Sequence, residues 1–163
     1  MSNRLRFRVD DLAGHPGRSR PFSGAIPVEL TVVDTIVDGL MTVEGTLTGT
    51  VDGVDARFVA AAPLSATCVR CLTSWTDIME VSGSQHFSKV PDEDGYAIER
   101  GEIDLAGPAI DELALGIPLS PLCRPDCKGL CPICGTDLNT DPCDGHGDDP
   151  DSPFAALKDL FDH

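Results

Sequence analysis

The chain has little positive charge. Twelve Lys and Arg stand against 27 Asp and Glu, a formal net charge of −15 over 163 residues. That balance excludes a polyanion-coating protein, because affinity for nucleic acid grows with the number of phosphates that basic side chains neutralise. Long apolar runs are also missing: none approaches the ~20 residues needed to cross a bilayer, and MSNRLRFRVD has no apolar signal-peptide core. The expectation is a cytoplasmic protein with no membrane association. No glycine-rich loop suited to cradling phosphate occurs, and His15 and His86 stand beside no serine or acidic signature. An enzyme is not expected.

What the chain does have is soft metal ligands. Cys68 and Cys71 form CVRC; Cys123, Cys127, Cys131, Cys134 and Cys143 follow, with His146 just beyond. Thiolate and imidazole are the donors zinc prefers, and a two-residue spacer lets both sulfurs of a CxxC knuckle reach one tetrahedral ion at about 2.3 Å. Spacing sorts the eight into two sets. CxxC at Cys68 and Cys71 has no partner for the next fifty or so residues, and the first later pair is Cys123 with Cys127. Cys131 with Cys134, in CPICG, then joins Cys143 with His146, in CDGH. Two zinc ions in closed four-ligand sites are expected, with His146 the weakest ligand; it can equally be a solvated loop histidine.

Other readings of the cysteines remain open. A thioredoxin-like redox pair would open a helix in a βαβ unit, whereas strand-like sequence flanks CVRC on both sides. Disulfides suit an oxidising compartment, and seven cysteines leave one unpaired. Cys127, Cys131 and Cys134 also fit CxxxCxxC, the cluster spacing of radical S-adenosylmethionine enzymes, but the 29 residues after Cys134 are too few for their barrel. A small iron–sulfur protein escapes that objection, since thiolates serve both metals.

At this length one principal domain is expected, with a small metal module attached: a β-rich body over 1–122 and a cysteine-rich module over 123–163. Period-two patterning dominates the body. Ile26, Val28, Leu30 and Val32 share one strand face, and Met41, Val43, Leu47 and Val51 another. Asp52-Gly53 signals a hairpin turn. The return strand carries Ala56, Phe58, Ala60 and Leu64 into Cys68, and a further strand from about Thr73 to Phe87 carries Trp75, Met79 and Val81. The first knuckle therefore falls where one antiparallel strand turns into the next. Gly45 and Gly49 inside a strand suggest bulges or curvature. The fold class expected is α+β, mainly antiparallel β in a curved or barrel-like sheet, with short helices and a zinc-stapled C-terminal segment.

Residues 91–102 read as an exposed acidic loop. Helical periodicity begins at Ile103 with Leu105, Ala109, Ile110, Leu113 and Ile117; Pro108 suits a first turn, and Gly116 with Pro118 ends the helix. After an acidic linker, 144–151, Ser152-Pro153 caps a last short helix with Phe154, Leu157 and Phe161, expected to dock on the body. Arg4, Arg6, Arg8, Arg18 and Arg20 face only Asp10 and Asp11 within the first twenty residues. They are candidates for RNA contact or, for the alternating first three, the solvent face of a strand.

CVRCL after a hairpin, the acidic stretch, the short helix ending in IPLSPLC, the run CKGLCPICGTDLN and the ending SPFAALKDLF together resemble the YceD family of large ribosomal RNA subunit accumulation proteins, from about Gly24 to Leu160. The resemblance implies a non-enzymatic cytoplasmic factor for accumulation or processing of 23S ribosomal RNA. Its partners would be a large-subunit assembly intermediate, a ribosomal protein or an RNA-processing factor, with weak direct RNA contact. Members that keep CxxC and place histidine or cysteine at the positions of Cys123 and Cys127 agree with the first ligand set. The commoner ending is CxC, from which Cys143-Asp-Gly-His146 departs. The alternative function is a zinc-thiolate redox or metal sensor, with the second set, on the acidic tail, as its responsive site.

Overall fold

A computed structural model of the chain describes residues 5–143 except 92 and 94, together with 145 and 146. Four long strands form an antiparallel meander: β2 (Ser19–Val32), β3 (Thr35–Gly49), β4 (Gly53–Thr67) and β5 (Ser74–Ser88). Their 14 or 15 residues extend about 50 Å at ~3.3 Å per residue. A sheet that long buries one whole face only if it curls. β4 shows the alternation best: Ala56, Phe58, Ala60, Ala62, Leu64 and Ala66 point inward and are buried, while Arg57, Val59 and Ser65 point out. Val37, Met41, Val43 and Leu47 of β3 meet them in the core.

Val51, expected on that face, is instead 81% exposed. β3 ends at Gly49, and Val51 sits in the turn into β4. There the Thr50 hydroxyl donates to Asp52 Oδ1 (3.0 Å) and accepts from the Gly53 N–H (2.9 Å). The bond from Thr50 holds the Asp52 carboxyl below the usual carboxylate range. At the opposite end β2 turns into β3 through Val33 and Asp34, with Val32 paired to Thr35 and Val33 at φ 53°.

The expected glycine irregularities are displaced. The break in the β3–β4 register lies between Val37 and Thr42, around Gly39 at φ 139°. Gly45 and Gly49 keep unbroken pairing, with Phe58 and Val54, and serve close approach instead. A Cβ on Gly45 would strike the Arg57 carbonyl, and one on Gly49 the Leu12 carbonyl. Missing side chains there let the curled sheet press backbone on backbone.

Residues 91–102 are not simply a loop. β6 (Tyr96–Ala97) pairs parallel to β5 at Phe87 and Ser88, so the sheet runs β2-β3-β4-β5-β6. β7 (Glu102–Asp104) pairs with β1 (Arg6–Arg8) in a separate ribbon. The expected helix therefore begins later than Ile103: Ile103 belongs to β7 opposite Phe7, and α1 spans Ala106–Gly116. Pro108 lies in its first turn, where a missing N–H costs no hydrogen bond. Ala109 and Leu113 bury one face of α1, which packs against β5 and β2 and spans the open side of the curl. Leu5, Val9, Leu12 and Ile103 fill the core beside it.

The protein is thus mainly antiparallel β, a curled half-barrel with one helix among the described residues. No helix among them is long and apolar enough to cross a membrane. The C-terminal helix expected at 152–161 and most of the acidic linker lie outside the described residues. Gly45→Ala should destabilise the body by about 1–3 kcal/mol, read as a lower urea midpoint with unchanged slope. An unchanged midpoint would show that the strands tolerate a methyl at that crossing.

Candidate metal centre

β4 delivers its last residue, Thr67, directly into Cys68, and β5 begins at Ser74, so the hairpin end is the first knuckle. Its turn is closed by Cys68 N–H to Thr73 O (2.9 Å) and Leu72 N–H to Cys68 O (2.9 Å), with Leu72 at φ 58°. The second knuckle repeats this geometry. Cys131 N–H bonds Thr136 O (2.8 Å), Gly135 N–H bonds Cys131 O (2.9 Å), and Gly135 takes φ 73°. CVRCLT and CPICGT are therefore one turn used twice, with leucine in the first where glycine stands in the second. Left-handed backbone costs leucine roughly 1–2 kcal/mol.

The segment after α1 is tied to the first knuckle by backbone. Val69 N–H donates to Pro121 O (3.0 Å) and Leu130 N–H to Arg70 O (3.0 Å), and the Arg70 guanidinium donates to Cys127 O (2.8 Å). These bonds carry Cys123 and Cys127 to Cys68 and Cys71. Cys68 lies 3.8 Å from Cys127 and Cys71 lies 3.6 Å from Cys123, sulfur to sulfur. All four ligand atoms fall within 4.8 Å of one another, as do those of Cys131, Cys134, Cys143 and His146. In the second group Cys143 Sγ is 3.8 Å from both Cys131 and Cys134 and 3.1 Å from His146 Nε2.

These separations are far beyond a disulfide bond of ~2.05 Å, and all seven cysteines are free. A tetrahedral ion held by sulfurs at about 2.3 Å spaces them about 3.8 Å apart. Both groups can hold a metal ion, and their compactness suits one ion each. A polynuclear iron–sulfur cluster spreads its terminal sulfurs over several irons and needs more room. The first group is sunk in the protein, with Cys68, Cys71 and Cys127 buried beside Trp75, Leu122 and Leu130. In the second, Cys134 and His146 are exposed.

Electrostatics within each group are uneven. Burial pushes the Cys68 thiol up, but hydrogen bonds from the backbone at Cys123, Cys71 and Arg70 together bring it down to about 6. Burial also pushes Cys123 up, to about 12, reinforced by Cys71, Cys127 and Cys68 competing for the charge. The Thr136 hydroxyl, 3.1 Å from Cys134 Sγ, leads the groups that draw that thiol down to about 6. Cys134 and Cys131 in turn raise His146. Cys68 and Cys134 are thus the thiols most inclined to ionise, while Cys123 and Cys143 are held up and would give up their protons to an entering dication.

The arginines do not form one cationic face. Arg4 lies outside the described residues. Arg6 pairs with Asp104 (2.8 Å) and Arg8 with Asp10 (3.1 Å), both on the exposed side of the β1–β7 ribbon. Arg20 reaches Asp11 (4.0 Å) and the Arg8 carbonyl, and Arg18 precedes β2. His86 does have acidic neighbours: cross-strand register sets its Nδ1 2.6 Å from Asp55, and Asp52 lies 3.7 Å from Nε2. No local motif announced that exposed pair. Thr73 and Thr136 went unmarked in the sequence although each stands two positions after a CxxC, and Asn139, which reaches Cys127, carried no signal.

A family model described as large ribosomal RNA subunit accumulation protein YceD matches residues 56–161. The chain belongs to the YceD family. The match spans every residue of both ligand sets, so in YceD terms the hairpin end and the cysteine-rich segment lie within one family unit. An uncharacterized protein of Mycobacterium tuberculosis is 31% identical over 165 residues, covering 95% of this chain and 74% of the relative. One of Mycobacterium leprae is 38% identical over 110 residues, 61% of this chain and 49% of the relative. A Zea mays protein named large ribosomal RNA subunit accumulation protein YCED homolog 1, chloroplastic, is 49% identical over 39 residues, 24% and 13% of the two chains. No solved structure matches.

Leu72 is 65% exposed, so replacing it forfeits little burial and removes the left-handed strain. Leu72→Gly should raise stability by up to about 1 kcal/mol, seen as a higher melting temperature. A lower one would mean that the leucine side chain contributes packing that outweighs the strain.

Proposed function

We propose that this YceD protein is a non-enzymatic zinc-binding factor in large ribosomal subunit biogenesis, acting in 23S ribosomal RNA accumulation or processing. The observation that carries this reading is the family match over residues 56–161, which includes both ligand sets. Cys68, Cys71, Cys123 and Cys127 would hold one zinc, and Cys131, Cys134, Cys143 and His146 the other. Four protein ligands at each leave no open position for a reacting water, the arrangement of a structural rather than a hydrolytic site. Residues 123–163 then act as a module stapled to the β-body of 1–122.

Direct RNA contact would be weak and salt-sensitive. It would fall to Arg4, Arg6, Arg8, Arg18 and Arg20, of which Arg6, Arg8 and Arg20 already pair with aspartates. Specificity would come from a ribosomal protein, a processing factor or the assembly intermediate as a whole. A zinc-thiolate sensor is the second reading, favoured by the exposure of Cys134 and His146; rapid zinc release at low oxidant, without effect on subunits, would select it.

Protein purified without a metal-binding tag should contain close to two zinc ions and little iron by elemental analysis. Cys68→Ser should destabilise the body far more than His146→Ala, because the first set ties the hairpin end to residues some fifty positions away and its binding energy is also folding energy. One zinc, iron–sulfur absorbance, or equal melting of the two variants would refute this model. Depletion in cells should lower mature 23S RNA and free 50S subunits relative to 16S RNA and 30S subunits in sucrose gradients. An unchanged ratio would remove the biogenesis reading.

A further inference from the structure

One side chain that belongs to neither ligand set reaches the first from the segment that carries the second. Asn139 follows the second knuckle, and its amide is fully engaged. Its Oδ1 accepts from Arg124 Nη2 (2.7 Å) and from the Lys128 backbone N–H (2.8 Å). Its Nδ2 donates to Asp137 Oδ1 (2.6 Å) and points at Cys127 Sγ (3.5 Å). Arg124 and Lys128 flank Cys123 and Cys127 in sequence, so the side chain clasps the loop that bears half of the first set.

Asn139 is itself placed by a turn in the segment between the second knuckle and Cys143. Its backbone N–H donates to Asp137 Oδ1 (2.9 Å), an Asx turn that also draws Asn139 Nδ2 onto the same oxygen. Hydrogen bonds from the Asn139 backbone and side chain keep the Asp137 carboxyl below the usual carboxylate range. Leu138 N–H bonds Gly129 O (2.9 Å), and Leu130 and Asp137 form an isolated bridge. The turn therefore hangs between the Cys131–Gly135 knuckle on one side and Cys143 on the other. Asn139 lies in the chain between Cys134 and Cys143, so fixing those two sulfurs on one ion restricts the segment that carries it.

We infer that Asn139 is a positioning residue that makes metal retention at the buried first set depend on occupation of the second set, of which Cys134 and His146 are exposed. This rests on the reading of two single-ion sites. An N–H donated to a metal-bound thiolate lowers charge on the sulfur and fixes its direction, and outer hydrogen bonds of this kind typically govern 10–100-fold in metal affinity. Because binding coupling is reciprocal, filling the first set must favour the second by the same factor. The solvent-facing set would then be the one through which metal supply is sensed, and the buried set the one that transmits it to the β4–β5 hairpin.

The test uses the full chain loaded with Co²⁺, whose spectrum separates an all-sulfur site from a three-sulfur, one-nitrogen site, with a competing chelator to obtain affinities. Cys143→Ser, which disables the second set, should weaken cobalt binding at the all-sulfur site by roughly tenfold or more. Asn139→Ala should weaken it similarly, and the double variant should be no worse than Asn139→Ala alone. Asn139→Asp keeps an acceptor for Arg124 and Lys128 but loses the donor to Cys127; it should fail like Asn139→Ala and shift the thiolate-to-cobalt charge-transfer band of the all-sulfur site. Full affinity in Asn139→Asp, or additive losses in the double variant, would overturn the coupling. A wild-type chain that takes up no cobalt at either site would instead overturn the two-site reading itself.

Discussion

The chain depends on one convergence: two cysteine pairs some fifty residues apart meet at the open end of a β-hairpin. Cys68 and Cys71 occupy the reversal between β4 and β5, so whatever holds their sulfurs also holds the register of those two strands. Cys123 and Cys127 arrive from beyond α1, guided by three bonds to Val69, Arg70 and the Arg70 carbonyl. Those bonds alone leave four thiols crowded within 4.8 Å, an arrangement with proton competition and like-charge repulsion that a single dication would relieve.

The sheet supplies what the cysteines need, a rigid end to converge on. Curl brings the inner face of β2 to β5 around a core of alanine, valine and leucine, and α1 lies across the opening. Small residues are the means. Ala56, Ala60 and Ala62 keep β4 slim, and Gly45 and Gly49 allow backbone to approach backbone where any side chain would collide. The same economy leaves a protein of low aromatic content whose anchors, Phe58, Phe87 and Trp75, lie on the two strands that lead to and from the first knuckle.

The two knuckles share geometry and differ in setting. One is buried beside Trp75, Leu122 and Leu130; in the other Cys131 is buried and Cys134 exposed. Burial slows exchange with water and with competing ligands, whereas exposure permits it. A turn is thus used in two environments, and Asn139, in the segment between the second knuckle and Cys143, reaches Cys127 of the first group.

Much of this was legible in the residues alone. Period-two alternation marks β3, β4 and β5 because a half-buried sheet leaves no other pattern, and CxxC spacing sorts the ligands because a knuckle's reach is set by covalent geometry. Spacing likewise marks Cys131 with Cys134 and Cys143 with His146 as neighbours. Sequence could not place β6 parallel to β5, nor show that Ile103 pairs with Phe7 instead of opening α1, since such short strands exist only through a distant partner. Nor could it show that Val51 faces water, that Gly45 serves contact instead of a bulge, that His86 meets Asp55, or that Asn139 reaches Cys127. Apart from Val51, which a local turn points outward, each of these is a through-space relation between residues nine or more positions apart. Local composition determined which side chains could take part; the curl of the sheet and the docking of 121–139 on its end decided which of them meet.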